Sequence, residues 1–245
     1  MKQPLPILLS TLLVTTSAAY ADSPWSVAGG VIAVDSPYAN TDTKVMALPM
    51  VNYQGEKLTL RGYTLDYTLL QQHGFSWSAT LAPGQFFDSS DSDNPAIKAL
   101  NERKMSLYAG TKVSYAANFG RLNASVTHDI LGHSDGLKFN GDYNYSIIFS
   151  KELILTPFIG VVINSSKVSN YYYGVAAGES TSYAPYQLGS TVNYNAGLLL
   201  RYQLNKNWHL NGLVKYTQLD TDIEDSPIVD SDNIATTMLS VSYQF

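Results

Sequence analysis

The sequence predicts an all-β protein, a transmembrane antiparallel β-barrel of about twelve strands with short periplasmic turns and longer extracellular loops. Three observations predict it. Apolar and polar residues alternate with a period of two through segments of about ten residues, the pattern of strands with two unlike faces. The apolar faces repeatedly end in Trp, Tyr or Phe while the polar faces carry charges and amides in mid-strand, as lipid outside and water inside require. In the second half of the chain, tight turns at Asn118-Phe119-Gly120, Ser150-Lys151 and Asn205-Lys206 alternate with polar loops over roughly 166–190 and 220–233. A soluble β-sandwich shares only the first of these features.

Composition agrees. Only 14% of residues are charged, against about 25% in soluble domains. Tyrosine outnumbers phenylalanine 18 to 8, and its apolar ring with a wet hydroxyl suits a surface passing from hydrocarbon to water. The absence of cysteine excludes a disulfide framework and thiol chemistry. A net charge of −5 with no basic cluster argues against nucleic acid as a partner.

Residues 1–21, with Lys2, an apolar run from Leu5 to Val14 and the small-x-small ending Ala19-Tyr20-Ala21, read as a cleaved secretory signal. Residues 22–245 form the barrel domain. Its strands are expected at Trp25 to Ala33, 44–53, 57–70, Phe75 to Leu81, Met105 to Ala117, Leu122 to Ile130, Lys138 to Phe149, Leu153 to Ile163, 192–204, 207–219 and 234–245. Barrels of this kind carry even strand numbers, so a twelfth strand is missed or merged. The segment 57–70 changes phase near Gly62, which suggests a bulge. Pro157 falls inside a strand and predicts a missing ladder bond. The chain ends on Val241-Ser-Tyr-Gln-Phe245; Tyr243 and Phe245 are expected at the lipid interface as a C-terminal assembly signal, with the last strand pairing to the first because no open edge is tolerated in hydrocarbon.

Several segments resemble the MipA/OmpV family of outer-membrane proteins. Asp225-Ser226-Pro227-Ile228-Val229, set between two strands, looks like that family's carboxy-terminal signature. Asn170-Tyr171-Tyr172-Tyr173-Gly174-Val175 resembles its aromatic-Gly-Val loop motif, with Tyr173 where the family has phenylalanine. The segments starting at Ala47 and His128 also fit, so the likeness covers nearly the whole mature chain. The resemblance implies residence in the Gram-negative outer membrane. It also implies a binding role, described for some members as a scaffold joining murein-degrading and murein-synthesising enzymes and for others as a host-contacting surface protein.

Lys104, Lys112, Arg121, Asp129, Lys138, Asp142, Arg201 and Lys215 are expected to face the lumen, a mixture of signs that lines a narrow pore or pairs across and closes it. The tyrosines of the 166–190 loop are expected to pack over the barrel mouth. His128-Asp129 and His133-Ser134-Asp135 contain hydrolase residue types, but strand neighbours point to opposite faces, so no catalytic relay is expected. His133, Asp135 and Asp142, or the acidic stretches Asp88 to Asp93 and Asp220 to Asp225, offer oxygen ligands without the turn glycine and terminal glutamate of a calcium loop. No metal and no cofactor are expected. The expected function is therefore binding rather than reaction, in contact with outer-membrane lipid, lipopolysaccharide, the barrel-assembly machinery and murein enzymes. A small-solute pore or a surface adhesin is the alternative.

Overall fold

The computed structural model describes residues 23–85, 89 and 92–245. The expected signal, together with Asp88 and Asp91, lies outside the described residues. The chain forms one antiparallel sheet that closes on itself. Its strands are β1 (Trp25–Val34), β2 (Lys44–Gln54), β3 (Leu58–Arg61), β4 (Thr64–Gln72), β5 (Phe75–Pro83), β6 (Leu107–Ala117), β7 (Gly120–Asp129), β8 (Leu137–Asn144), β9 (Ile147–Ile148), β10 (Leu153–Asn164), β11 (Thr191–Gln203), β12 (Trp208–Gln218) and β13 (Asn233–Gln244). Three short helices, α1 (Pro95–Lys98), α2 (Ser166–Tyr173) and α3 (Thr221–Glu224), lie in the long loops.

Thirteen segments make twelve staves, because β8 and β9 both pair with β10 and form one interrupted strand. The interruption falls at Tyr145 and Ser146, opposite Pro157 and Thr156. Pro157 has no N–H to return to Tyr145, whose own N–H reaches the Pro157 carbonyl at 3.2 Å. The missing ladder bond thus splits a stave, and a 3.0 Å contact between the Ser146 and Thr156 hydroxyls bridges the gap.

The twelfth stave comes from the segment 57–70. The phase change near Gly62 is a two-residue hairpin and not a bulge: Arg61 pairs with Thr64, Leu60 with Leu65, and Gly62 takes φ +55° at the turn. A register irregularity does exist in β4, but between Thr68 and Leu70. A second strand proline, Pro49, sits in β2.

Closure follows the expected route, with β1 paired to β13 from Ser26↔Gln244 to Val34↔Thr236. At this end Trp25 packs on Tyr53 with ring centroids 4.6 Å apart, and Trp208, Tyr243 and Phe245 form an edge-to-face series at 5.0 and 5.3 Å. Tyr194 and Tyr216 are exposed near the other end. Between these belts the outward positions are Val27, Val31, Val126, Ile159, Leu198, Val214 and Leu239, all exposed and apolar. A soluble sheet would bury these faces against a partner layer; here their solvent is hydrocarbon. The core cluster of buried apolar residues lies instead in the loops: Tyr38, Ile97, Leu100, Tyr108, Val168, Tyr172, Tyr173, Val175, Leu188, Leu219, Ile223, Ile228 and Val229. No described helix is long and apolar enough to cross a membrane.

Candidate functional site

The barrel interior and the loop core above it make one site. Strand parity places Lys112, Arg121, Lys138, Asp142, Arg201 and Lys215 on the inward face, alternating with the exposed apolar set. Lys104 is a correction: β6 begins only at Leu107, so the alternation does not extend to it, and Lys104 is an exposed loop residue whose carbonyl accepts from the Tyr171 hydroxyl at 3.2 Å. Asp129, at the extracellular end of β7, is an anchor of the following loop. Its carboxylate accepts from Ser106 Oγ (2.9 Å), Leu131 N (3.0 Å), Ser134 N (2.7 Å), Ser134 Oγ (2.9 Å) and Asp135 N (3.2 Å).

The lumen wall has two characters. From β3, β4 and β6 come Arg61, Asp66 and Lys112; Lys112 Nζ bonds the Asp66 carboxylate, and Arg61 stands 3.9 Å from it. On β7 and β8, Asn123 and Asn144 donate to Asp142 at 2.7 and 3.2 Å. On the other side Ile32 of β1, Leu48 of β2, Phe158 of β10 and Leu213 of β12 point inward and are almost wholly buried. One cavity of about 560 Å³ lies between these walls and the loop core, lined by residues that include Lys112, Lys138, Asp142, Phe158, Lys215 and Tyr173.

The family-motif segments meet in its roof. Helix α2 carries Tyr171, Tyr172 and Tyr173 and ends at Gly174, whose N–H donates to the Asn170 carbonyl at 2.9 Å. Tyr38 donates to the Tyr172 carbonyl at 2.9 Å, Tyr172 donates to the Gln85 carbonyl at 2.6 Å, and Ser226 donates to the Tyr173 carbonyl at 2.6 Å. The Ala39 N–H reaches Ile228 O at 3.0 Å, and Tyr38 forms a bridge pair with Val229. Val175 exchanges both backbone bonds with Tyr186, at 3.0 and 2.9 Å. Asp225 caps the C-terminus of α3, and Pro227 follows in the tight turn that aims Ile228 and Val229 into the core. Burial pushes the Tyr38, Tyr172 and Tyr173 phenols above their ordinary range, so they act here only as neutral donors and acceptors.

Sequence reasoning missed Arg103. It lies in the loop between β5 and β6, and its guanidinium meets Glu179 at 2.5 Å with both side chains buried. Arg103 also donates to Asn101 O (2.9 Å) and Gly174 O (3.2 Å), tying two loops across the roof. Although burial raises the Glu179 carboxyl, hydrogen bonds from Arg103, Ala176 N and Asn101 N outweigh it and hold its pKa below the usual range. Only the charge types hinted at this pair, since the two residues stand far apart in sequence.

Among the described residues the hydrolase and metal constellations do not assemble. His128 points outward and lies 3.6 Å from Asp135, while His133 Nδ1 contacts Met105 O at 3.0 Å; neither ring bonds a hydroxyl among the described residues. Asp135 binds Lys167 at 2.5 Å in the loops, away from Asp142 on the wall of β8. Among the described residues no cluster of His, Asp and Glu could hold a metal ion.

A closed sheet with apolar exterior, charged interior and aromatic belts, roofed by its own loops, defines an integral barrel protein of the Gram-negative outer membrane. The chain belongs to the MipA family: the model described as MltA-interacting protein MipA matches residues 27–245. It is 30% identical over 247 residues to the MltA-interacting protein of Escherichia coli (strain K12), covering 98% of this chain and 99% of that one. It is also 30% identical over 224 residues to outer membrane protein OmpV of Vibrio cholerae, covering 90% and 86%. Among solved structures, an outer membrane channel from Pseudomonas putida F1 aligns over 96% of this chain and 100% of its own at 12% identity, with a TM-score of 0.48.

Proposed function

We propose that this barrel acts by binding rather than by reaction, as an outer-membrane scaffold whose periplasmic rim engages murein-degrading and murein-synthesising enzymes. The observation that carries this reading is an interior narrowed by apolar side chains and roofed by the loops. Ile32, Leu48, Phe158 and Leu213 point inward yet are almost free of solvent, and the loop core roofs the mouth. Such an interior favours a rigid platform over a wide conduit. The name of the 30%-identical Escherichia coli relative supports a murein enzyme as the partner. The docking elements would be the periplasmic turns at 55–57, 118–119, 149–152 and 204–207.

Capture by the purified full-length barrel tests it. The barrel immobilised in nanodiscs should retain a purified lytic transglycosylase, and replacing Ser150-Lys151-Glu152 with a Gly-Ser turn should weaken retention. Retention no better than on empty nanodiscs would remove the scaffold reading. A small-solute pore is the second reading, supported by the cavity and by Arg201 and Lys215 on the inner wall. A steady bilayer conductance whose ion selectivity changes on Arg201→Gln or Lys215→Gln would favour it over the scaffold.

A further inference from the structure

Four adjacent staves, β8, β10, β11 and β12, build one continuous wall of the interior cavity. In register across them Lys138 stands opposite Asn164, and Asn140, Val162 and Asn193 follow as the next inward row. Toward the periplasm Asp142, Gly160, Asn195 and Thr217 form a row, and Phe158, Gly197 and Lys215 form the one beyond it. All take the inward parity of their strands, and Lys138, Phe158, Val162, Asn193, Asn195 and Lys215 line the cavity.

The polar groups of this wall are set to donate. Lys138 Nζ lies 5.1 Å from the Tyr108 ring centroid and makes no ion pair among the described residues. Lys215 stands near enough for the two ammonium charges to repel. Asn193 accepts from Asp220 N at 3.0 Å and Asn195 from Thr217 Oγ1 at 2.8 Å, each through Oδ1. What either amide then offers the cavity is its Nδ2 donor pair. Asp142, the carboxylate of this wall, already accepts from Asn123 and Asn144 at 2.7 and 3.2 Å. Apolar surface adjoins these donors in Phe158 and Val162, and Gly160 leaves the wall recessed, since a Cβ there would lie 3.2 Å from that of Asp142. At about 560 Å³ the cavity has the size of a small-molecule site. Two like charges on a low-dielectric wall, flanked by amide donors, favour a negative occupant that pairs with them.

We propose that this wall is a binding site for a small organic anion, a carboxylate or a phosphate monoester with an apolar body. Lys138 and Lys215 hold the charged head, Asn193 and Asn195 donate to its oxygens, and the body lies against Phe158 and Val162. The inference needs neither the scaffold reading nor conduction, because a bound solute requires a pocket and not a through-path.

The folded barrel in dodecylmaltoside micelles would be titrated calorimetrically at pH 7 with benzoate, neutral benzamide, phenyl phosphate and inorganic phosphate. Benzoate should bind at least about tenfold more tightly than benzamide, the margin of about one charge-assisted hydrogen bond. Lys138→Gln should remove that preference while the variant keeps the heat-modifiable gel migration of a folded barrel. Lys98→Gln, the same change of charge on the exposed face of α1, should retain the preference. Benzoate should also raise the thermal midpoint of the unaltered barrel and not that of Lys138→Gln. Val162→Phe, which fills the space for the body, should weaken benzoate and phenyl phosphate at least about tenfold while leaving inorganic phosphate unchanged. Tighter binding of phenyl phosphate than of benzoate would assign the head as a phosphate monoester, and the reverse order as a carboxylate; either supports the site. Equal affinity for benzoate and benzamide, a preference that survives Lys138→Gln, or inorganic phosphate binding as tightly as phenyl phosphate would overturn the proposal.

Discussion

Removing Glu179 should open the roof of the barrel while leaving the staves intact. In Glu179→Ala the guanidinium of Arg103 stays buried, with side-chain exposure of 7%, keeping its bonds to Asn101 O and Gly174 O but losing its carboxylate partner. Its Nε has no partner among the described residues, so none of them supplies a compensating hydrogen bond. Stranding one member of a buried pair costs about 3–5 kcal/mol, which raises the opening constant of the loop core by roughly 10² to 10⁴. Amide exchange reads this directly at Val175 and Tyr186, whose reciprocal bonds stand beside the pair. Their protection should fall by that factor, while amides in the β12–β13 ladder should be unchanged. The double variant Arg103→Met with Glu179→Leu, which removes both charges, should recover most of the loss. Protection at Val175 unchanged within about threefold in Glu179→Ala would refute the view that this pair holds the cap.

Further outcomes follow from the same contacts. Because the Glu179 pKa is lower folded than unfolded, its contribution to cap stability is present above the unfolded value of about 4.3 and is lost as pH falls through the folded one; the protection factor at Val175, its exchange rate normalised to the intrinsic rate at each pH, should fall on acidification, and Glu179→Gln should flatten that profile. Tyr172→Phe should cost about 1–3 kcal/mol of cap stability by stranding the Gln85 carbonyl, measured by protease sensitivity of the loops. All three tryptophans, Trp25, Trp77 and Trp208, are exposed on the outer face, so brominated lipid should quench nearly all the tryptophan fluorescence of the reconstituted barrel; emission insensitive to bromine would contradict a hydrocarbon-facing exterior. Gly110→Ala should weaken β6–β7 pairing by about 1–3 kcal/mol, because a Cβ there would collide with the Val126 carbonyl, and the denaturant midpoint should fall.

Periodicity made the staves legible because lipid and lumen impose opposite chemistries on alternate residues, and the segment 207–219, observed as β12, needed nothing more. It failed where two geometries give the same sequence signal. A two-residue hairpin at Gly62-Tyr63 reverses the parity of outward residues, placing Leu60 and Leu65 on one face, just as a single inserted residue would. Lys104 was misplaced because alternation carried past the start of β6, where the backbone has already left the ladder. The motif tyrosines were recognisable as a roof, but Ser226 on the Tyr173 carbonyl and Arg103 on Glu179 join segments with no shared period. Such contacts are set by where the staves deliver their loops.

The seam between β1 and β13 has a consequence for biogenesis. The two strands that complete the ring are its first and last in chain order, so their register from Ser26↔Gln244 onward cannot form until every other stave has been made. Contacts so distant in sequence are slow to find, and until they form the nascent protein presents two raw margins able to zip onto any neighbour. A truncated product never loses them, and even loss of the final turn would leave a polypeptide that aggregates rather than a smaller ring.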